Sequence, residues 1–109
     1  IPPGVEPVHN DLSVLQYIYD NACENQYNSF QEMLDTRTYW WPNGRLAGAN
    51  LQHGGPNTLN MKLCGDYALP DNIGNLTELW YLDIGLYNDI TFLPESIGNL
   101  FHYSIYEQV

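Results

Sequence analysis

The chain has 109 residues, a length that suits one domain with one modest hydrophobic core. Thirteen Asp and Glu against three Lys and Arg give a formal net charge of -10, which repels nucleic-acid phosphates and anionic lipid. No apolar run approaches the roughly 18 residues of a membrane-spanning helix. The composition therefore excludes nucleic-acid binding and membrane insertion, while 14% aromatic residues favour a chain that folds or assembles.

The first ten residues are predicted to form an extended arm. The chain starts at Ile1 rather than Met and has no signal-peptide pattern, so we interpret it as a processed chain or a fragment. Three prolines in the first seven residues fix φ and remove amide donors, which favours extended structure. This arm is either a loose terminus or a strap on a neighbouring subunit.

Two helices are predicted next. Apolar residues at helical spacing predict a helix over residues 10–22, with Asn10 or Asp11 as its N-cap. Ser29 and Glu32 have the spacing of a capping box, so a second short helix is expected to begin there.

A turn is predicted after the second helix. The dipeptide Asn43-Gly44 is favoured in hairpins, and it lies between two short segments of extended character within residues 40–46.

An eight-residue motif occurs twice, 24 residues apart. Residues 69–76 are LPDNIGNL and residues 93–100 are LPESIGNL, so six of the eight positions are identical. Between the copies, the alternate residues of 79–84 (LWYLDI) would share one face of a strand. Asn88 follows at a turn, where its side-chain amide could bond the backbone groups of stacked copies.

This pattern closely resembles the leucine-rich-repeat consensus, LxxLxLxxNxL followed by LPxxIGNL, of the plant and microbial extracellular type. The resemblance implies an α/β repeat fold, a short leucine-rich-repeat solenoid with parallel strands and a helical N-terminal cap. Residues 59–64 (LNMKLC) also fit, with Cys64 where the consensus allows Asn or Cys. The expected organisation is an arm at 1–10, a cap at 11–58 and repeats at 59–109.

Two features bear on the cellular compartment. Cys23 and Cys64 lack metal-ligand spacing, so they are either a disulfide that suits an oxidising compartment or two buried thiols; the repeat consensus favours Cys64 as a buried ladder residue. Asn75-Leu76-Thr77 is an N-glycosylation sequence, although the repeat consensus itself tends to spell it. The predicted location is extracellular.

No catalytic or metal-binding pattern stands out, so the chain is predicted not to be an enzyme and to need no cofactor or metal. His9, His53 and His102 are scattered, and neither HExxH nor GxSxG occurs. The acidic residues do not form an EF-hand loop. The Gly54-Gly55-Pro56 segment lacks the frame of a phosphate-binding loop.

The resemblance also implies a ligand-binding concave face made of exposed strand residues. These are Asn60, Lys62, Tyr81 and Asp83, with an ordinary solvated surface as the alternative.

The last residues are predicted to be an open end of the repeats, because no polar capping helix follows them. The residues of strand character at this assembly end are Phe101, Tyr103, Ile105 and Tyr106. An uncovered apolar end favours a structural subunit that assembles into filaments with other copies of itself. The alternative is a protein- or glycan-recognition module, as part of a receptor ectodomain or a secreted inhibitor.

Overall fold

The computed structural model describes residues 1–53, 59–85 and 88–100. In chain order the elements are α1 (His9–Asn21), β1 (Glu24–Asn25), α2 (Phe30–Arg37), β2 (Thr38–Trp40), β3 (Leu46–Asn50), β4 (Met61–Lys62), β5 (Cys64–Gly65), a first 3-10 turn (Ile73–Asn75), β6 (Tyr81–Asp83), β7 (Asp89–Ile90) and a second 3-10 turn (Glu95–Asn99). The strands form three small sheets, β1-β4, β2-β3-β6 and β5-β7.

The first predicted helix is confirmed, but its predicted cap is wrong. α1 buries Val14, Leu15 and Ile18 on the face that the apolar spacing indicates. The N-cap position is Val8, which offers no side-chain acceptor. Asp11 does not cap the helix because its carboxylate is buried against β3.

The capping box of α2 is confirmed. Ser29 Oγ accepts a hydrogen bond from the backbone N of Glu32 at 3.1 Å. The Glu32 carboxylate accepts at 3.0 Å from the backbone N of Asn28, one residue before the position that a reciprocal box would use. Met33 and Leu34 then enter the core from the inner face of this helix.

The predicted turn is also confirmed, and it holds the N-terminal arm. β2 and β3 pair antiparallel on either side of it. Gly44 has a φ of 85°, and a Cβ added there would overlap the carbonyl oxygen of Glu6, so the turn requires glycine. Gly44 O accepts from the backbone N of Val8 at 2.9 Å, and Ile1 and Val5 pack against the core. The arm therefore lies along its own domain.

The solenoid that the resemblance implied is wrong. The described residues form a small compact domain with two helices and three small sheets, in which antiparallel and parallel pairs both occur. Successive strands of a solenoid would pair side by side, whereas β3 pairs in parallel with β6, β4 pairs antiparallel with β1, and β5 pairs in parallel with β7. The physical reason is that the predicted repeat strand at 59–64 does not pair with β6. Its residues in β4 pair with β1, Cys64 in β5 pairs with β7, and β3 lies beside β6 instead.

The two copies of the repeated motif nevertheless contact each other. Ser96 Oγ accepts from the backbone N of Gly74 at 3.0 Å and donates to Asp71 O at 2.6 Å. A Cβ added at Gly74 would overlap the backbone of Ser96, so the two turns approach as closely as glycine allows. The contact between the two copies of the motif is therefore a local packing of two turns. The described strands do not stack as successive repeats.

Asn88 is a buried polar residue that joins three segments of backbone. Its Oδ1 accepts from Leu63 N at 2.9 Å, and its Nδ2 donates to Leu51 O at 2.8 Å and to Ile84 O at 3.1 Å. The predicted use of the Asn88 amide is confirmed at this one position. These bonds satisfy backbone groups that would otherwise be buried without partners.

Cys23 and Cys64 form a disulfide, with their Cα atoms 5.9 Å apart and a sequence separation of 41. The bond joins the segment after α1 to β5. Of the two alternatives, the disulfide is confirmed and the two buried thiols are wrong, and Cys64 is only half-buried rather than a buried ladder residue.

Arg37 is a buried cation at the junction of α2 and β2, with an exposed fraction of 6%. Its guanidinium donates to three backbone carbonyls, those of Asn50 at 3.1 Å, Gln52 at 2.8 Å and Leu59 at 2.9 Å. It also donates to the hydroxyl of Tyr27, whose ring lies 5.8 Å from the guanidinium carbon. These contacts fix the segment that follows β3.

Asp11 joins α1 to the beginning of β3. Its Oδ2 accepts from Arg45 Nε at 2.9 Å and from Leu46 N at 2.8 Å. Arg45 also donates to Asn75 O at 3.1 Å and to Thr77 Oγ1 at 3.3 Å, so the same guanidinium reaches the first 3-10 turn. The hydrogen bond that Arg45 donates to the Asp11 carboxylate holds the pKa of Arg45 above its usual value.

Replacing Asp11 should destabilise the fold measurably. Asp11→Asn keeps an acceptor for the Leu46 amide but removes the charge that faces Arg45. Because Arg45 is partly solvated, we expect the free energy of unfolding to fall by about 2 kcal/mol, below the range for a fully buried pair. Urea denaturation with the disulfide intact measures this change.

The control is Asp20→Asn, an exposed site on the same helix, where we expect a change within about 0.5 kcal/mol. Equal urea midpoints for the two variants would contradict the role given to Asp11.

Candidate functional site

The sheet β2-β3-β6 has one buried face and one outward face. Trp40, Ala49 and Leu82 are buried in the core. Tyr39 and Tyr81 precede Trp40 and Leu82 by one residue, so strand alternation directs them to the opposite face. The sheet therefore presents tyrosines outward from a rigid, buried base.

Tyr39, Gly48 and Tyr81 lie side by side across the three strands. Gly48 pairs with Tyr39 on β2 and with Tyr81 on β6. A Cβ added at Gly48 would lie 3.3 Å from the Tyr39 ring and 3.4 Å from the Tyr81 ring. Since glycine has no side chain, both rings can pack close to its backbone.

Two tryptophans extend this aromatic area. Trp41 Nε1 donates to Glu78 O at 2.7 Å, so the indole connects the end of β2 to the segment before β6. The backbone N of Trp80 donates to Ala47 O at 2.7 Å, which continues the pairing of β3 and β6 by one residue. We call four side chains the aromatic surface: Tyr39 and Tyr81 on the outward face of the sheet, and Trp41 and Trp80 at the end of the sheet where β3 begins, directly after β2 and directly before β6.

The aromatic surface is exposed although its residues are large and apolar. The exposed fractions are 61% for Tyr39, 39% for Trp41 and 65% for Trp80. Single exposed aromatic residues are ordinary, but three within or directly beside the strands of one small sheet are typical of an interaction surface.

Asp83 supports the aromatic surface rather than extending it. Its side chain has an exposed fraction of only 5%. One carboxylate oxygen accepts from Gly85 N at 3.1 Å, and the other accepts from the Tyr81 hydroxyl at 3.4 Å. Asp83 therefore positions the Tyr81 ring and closes the turn after β6.

The structure does not bring the four predicted face residues together. Tyr81 and Asp83 lie on β6. Lys62 lies on β4 and Asn60 directly precedes β4, which pairs with β1 in a different sheet. Lys62 Nζ lies 2.9 Å from an oxygen of Asp89, and this hydrogen-bonded ion pair raises the pKa of Lys62. The correction follows from the strand pairing, since the predicted face assumed one continuous parallel sheet.

Other predicted residues are scattered or lie outside the described part. His9 is exposed at the beginning of α1, and the ring of His53 lies 3.8 Å from Glu24. His102, the Gly54-Gly55-Pro56 segment and the whole predicted assembly end lie outside the described residues. The residues of that end are Phe101, Tyr103, Ile105 and Tyr106.

Sequence reasoning missed three members of the aromatic surface, Tyr39, Trp41 and Trp80. For Tyr39 and Trp41 the available signal was the run of residues 38–41 (TYWW), where alternation in a strand sends every second side chain outward. That run was assigned only to the flank of a turn.

Asn75 and Thr77 of the glycosylation sequence are both exposed. Asn75 ends the first 3-10 turn, and its carbonyl rather than its side chain accepts from Arg45. The side-chain amide therefore lies at an accessible turn, and the occupancy of this site stays a prediction.

We expect the protein secreted by a eukaryotic cell to carry one N-glycan at Asn75. Mass spectrometry before and after peptide N-glycosidase treatment measures it. Asn75→Gln and Thr77→Ala should each remove the glycan, whereas Thr77→Ser should keep it because serine preserves the acceptor sequence. An unchanged mass after glycosidase treatment of the secreted protein would contradict the assignment.

No family model matches the chain, and comparison with curated proteins and with solved structures gives no match either. Over residues 1–53, 59–85 and 88–100, no helix is long and apolar enough to cross a bilayer. Within those same ranges, three or more His, Cys, Asp or Glu side chains do not group where they could hold a metal ion. Function is therefore inferred from the geometry of the surface.

Proposed function

We propose that the protein is a non-catalytic recognition domain that binds a partner protein through the aromatic surface. The observation that carries the proposal is the exposure of Tyr39 on β2, of Trp41 directly after β2 and of Trp80 directly before β6, around one small sheet. Tryptophan and tyrosine dominate the binding energy of protein interfaces, because they bury much area and lose little side-chain entropy.

Preorganisation supports this proposal. The opposite face of the sheet is packed in the core, the Trp41 indole is bonded to Glu78, and the Tyr81 hydroxyl is bonded to Asp83. A surface whose side chains are already fixed loses less conformational entropy when a partner binds. The aromatic surface is therefore suited to a defined partner rather than to nonspecific adhesion.

The charge distribution favours a basic partner over a second copy. All three basic side chains are bound within the fold: Arg37 donates to backbone carbonyls, Arg45 pairs with Asp11 and Lys62 pairs with Asp89. The remaining net charge of -10 makes identical copies repel each other and attracts a positively charged protein. Filament assembly stays an alternative whose expected contact residues lie outside the described part.

We also propose that the protein acts outside the cell. The Cys23–Cys64 disulfide supports this location, because such bonds persist in oxidising compartments.

Peptides selected from a phage-displayed random library against the disulfide-bonded protein are the probe for this function. Their affinity should fall at least about tenfold for the double variant Tyr39→Ala with Trp80→Ala, since both truncations remove interface aromatic area. Leu59→Ala, an exposed apolar residue on another segment, is the control and should leave the affinity unchanged. Bound peptide should also reduce acrylamide quenching of Trp41 and Trp80 fluorescence.

Three outcomes would overturn the proposal. Selected peptides could bind the double variant as tightly as the original protein. A glycan array could give binding that depends on Tyr39 and Trp80 while no peptide does, which would indicate glycan recognition. Sedimentation could show assembly at micromolar concentration that the double variant abolishes, which would indicate self-association through this surface.

A further inference from the structure

A cavity of about 330 Å³ lies between α1, the segment after β5 and the segment after β7. Its chemically distinctive lining residues are Tyr17, Asp66, Tyr67, Asp71 and Phe92. None of these residues belongs to the aromatic surface, and the volume is in the range of small-ligand sites.

Hydrogen bonds hold the cavity walls in place. Tyr17 on α1 donates through its hydroxyl to Tyr67 O at 2.8 Å. Thr91 Oγ1 donates to an oxygen of Asp66 at 2.5 Å, and the Asp71 carbonyl accepts from Ser96. The cavity is therefore built by contacts between three separate segments.

The lining combines aromatic rings with carboxylates. Tyr67 and Phe92 are exposed by 79% and 52%, respectively, and they line the cavity together with Asp66 and Asp71. Aromatic faces attract cations, and carboxylates form short charge-assisted hydrogen bonds with guanidinium groups. A planar guanidinium can satisfy both at once, because it stacks on rings and donates from its edge.

The positive charge that this cavity favours has to come from outside the described fold. Arg37, Arg45 and Lys62 are engaged elsewhere, and no basic residue lines the cavity as the structure describes it. We propose that the cavity binds an arginine side chain of a basic partner segment, with the guanidinium between the aromatic rings and the two carboxylates.

The probe is an acetylated, amidated Gly-Arg-Gly peptide titrated into the isotope-labelled protein and followed by NMR. We expect saturable shifts of backbone amides in residues 66–71 and at Phe92. The Gly-Lys-Gly peptide should bind more weakly, because an ammonium cannot stack or donate in a fork. An uncharged Gly-Gln-Gly peptide should give no saturable shift.

Two pairs of variants separate a specific site from general attraction to an acidic protein. Asp66→Asn with Asp71→Asn should weaken arginine-peptide binding about fivefold, and Tyr67→Ala with Phe92→Ala should do so without any change of charge. The control, Glu6→Gln with Asp35→Asn, makes the same charge change at exposed sites away from the cavity and should alter affinity by less than about twofold. Unchanged urea midpoints verify folding.

Equal weakening by the control pair, or shifts that map away from the cavity, would overturn the inference. Tyr39→Ala with Trp80→Ala should leave arginine-peptide binding intact. Failure of this inference is therefore distinguishable from failure of the proposed function.

Discussion

The sheet that carries the aromatic surface depends on the buried carboxylate of Asp11. Asp11 fixes the beginning of β3 through Arg45 and the Leu46 amide, and Arg45 carries the connection on to the first 3-10 turn. β3 is the central strand between β2 and β6. Asp11 of α1 thus helps to fix the position of β3, with which β2 and β6 both pair.

A second set of polar contacts fixes the other end of β3. Arg37 binds the carbonyls of Asn50 and Gln52, while Asn88 binds the carbonyl of Leu51. Buried polar groups are costly when they lack partners, and every polar side-chain atom of Arg37 and Asn88 has at least one hydrogen-bond partner. The short central strand is therefore held at both ends by side chains distant in sequence.

Local features could be predicted from the sequence, whereas strand pairing could not. The helical spacing of α1, the Ser29 capping box and the Asn43-Gly44 turn each depend on residues within a few positions of one another. The alternation of Leu82 and Ile84 indicated a buried face, but it carried no information on which strand would lie beside β6. The repeated motif predicted that β6 would pair with a strand one repeat earlier in the sequence, whereas β6 pairs with β3.

The candidate site was predictable to the same partial extent. Tyr81 was identified because alternation within one strand placed it outward. Tyr39 comes near Tyr81 only through the pairing of three strands. The disulfide and the β1-β4 pairing place Asn60 and Lys62 at a different sheet. Cavity residues such as Tyr17 and Phe92 are separated by most of the chain, so no local pattern connects them.

Gly48 sets the spacing between the rings of Tyr39 and Tyr81 in the aromatic surface. The residue has no side chain to offer a ligand, yet it determines how closely the rings on either side of it can approach. A methyl group at this position would force the rings apart by a few tenths of an ångström, while the buried face beneath would keep its packing. Selectivity at this surface can therefore change through a backbone position that need not touch the ligand at all.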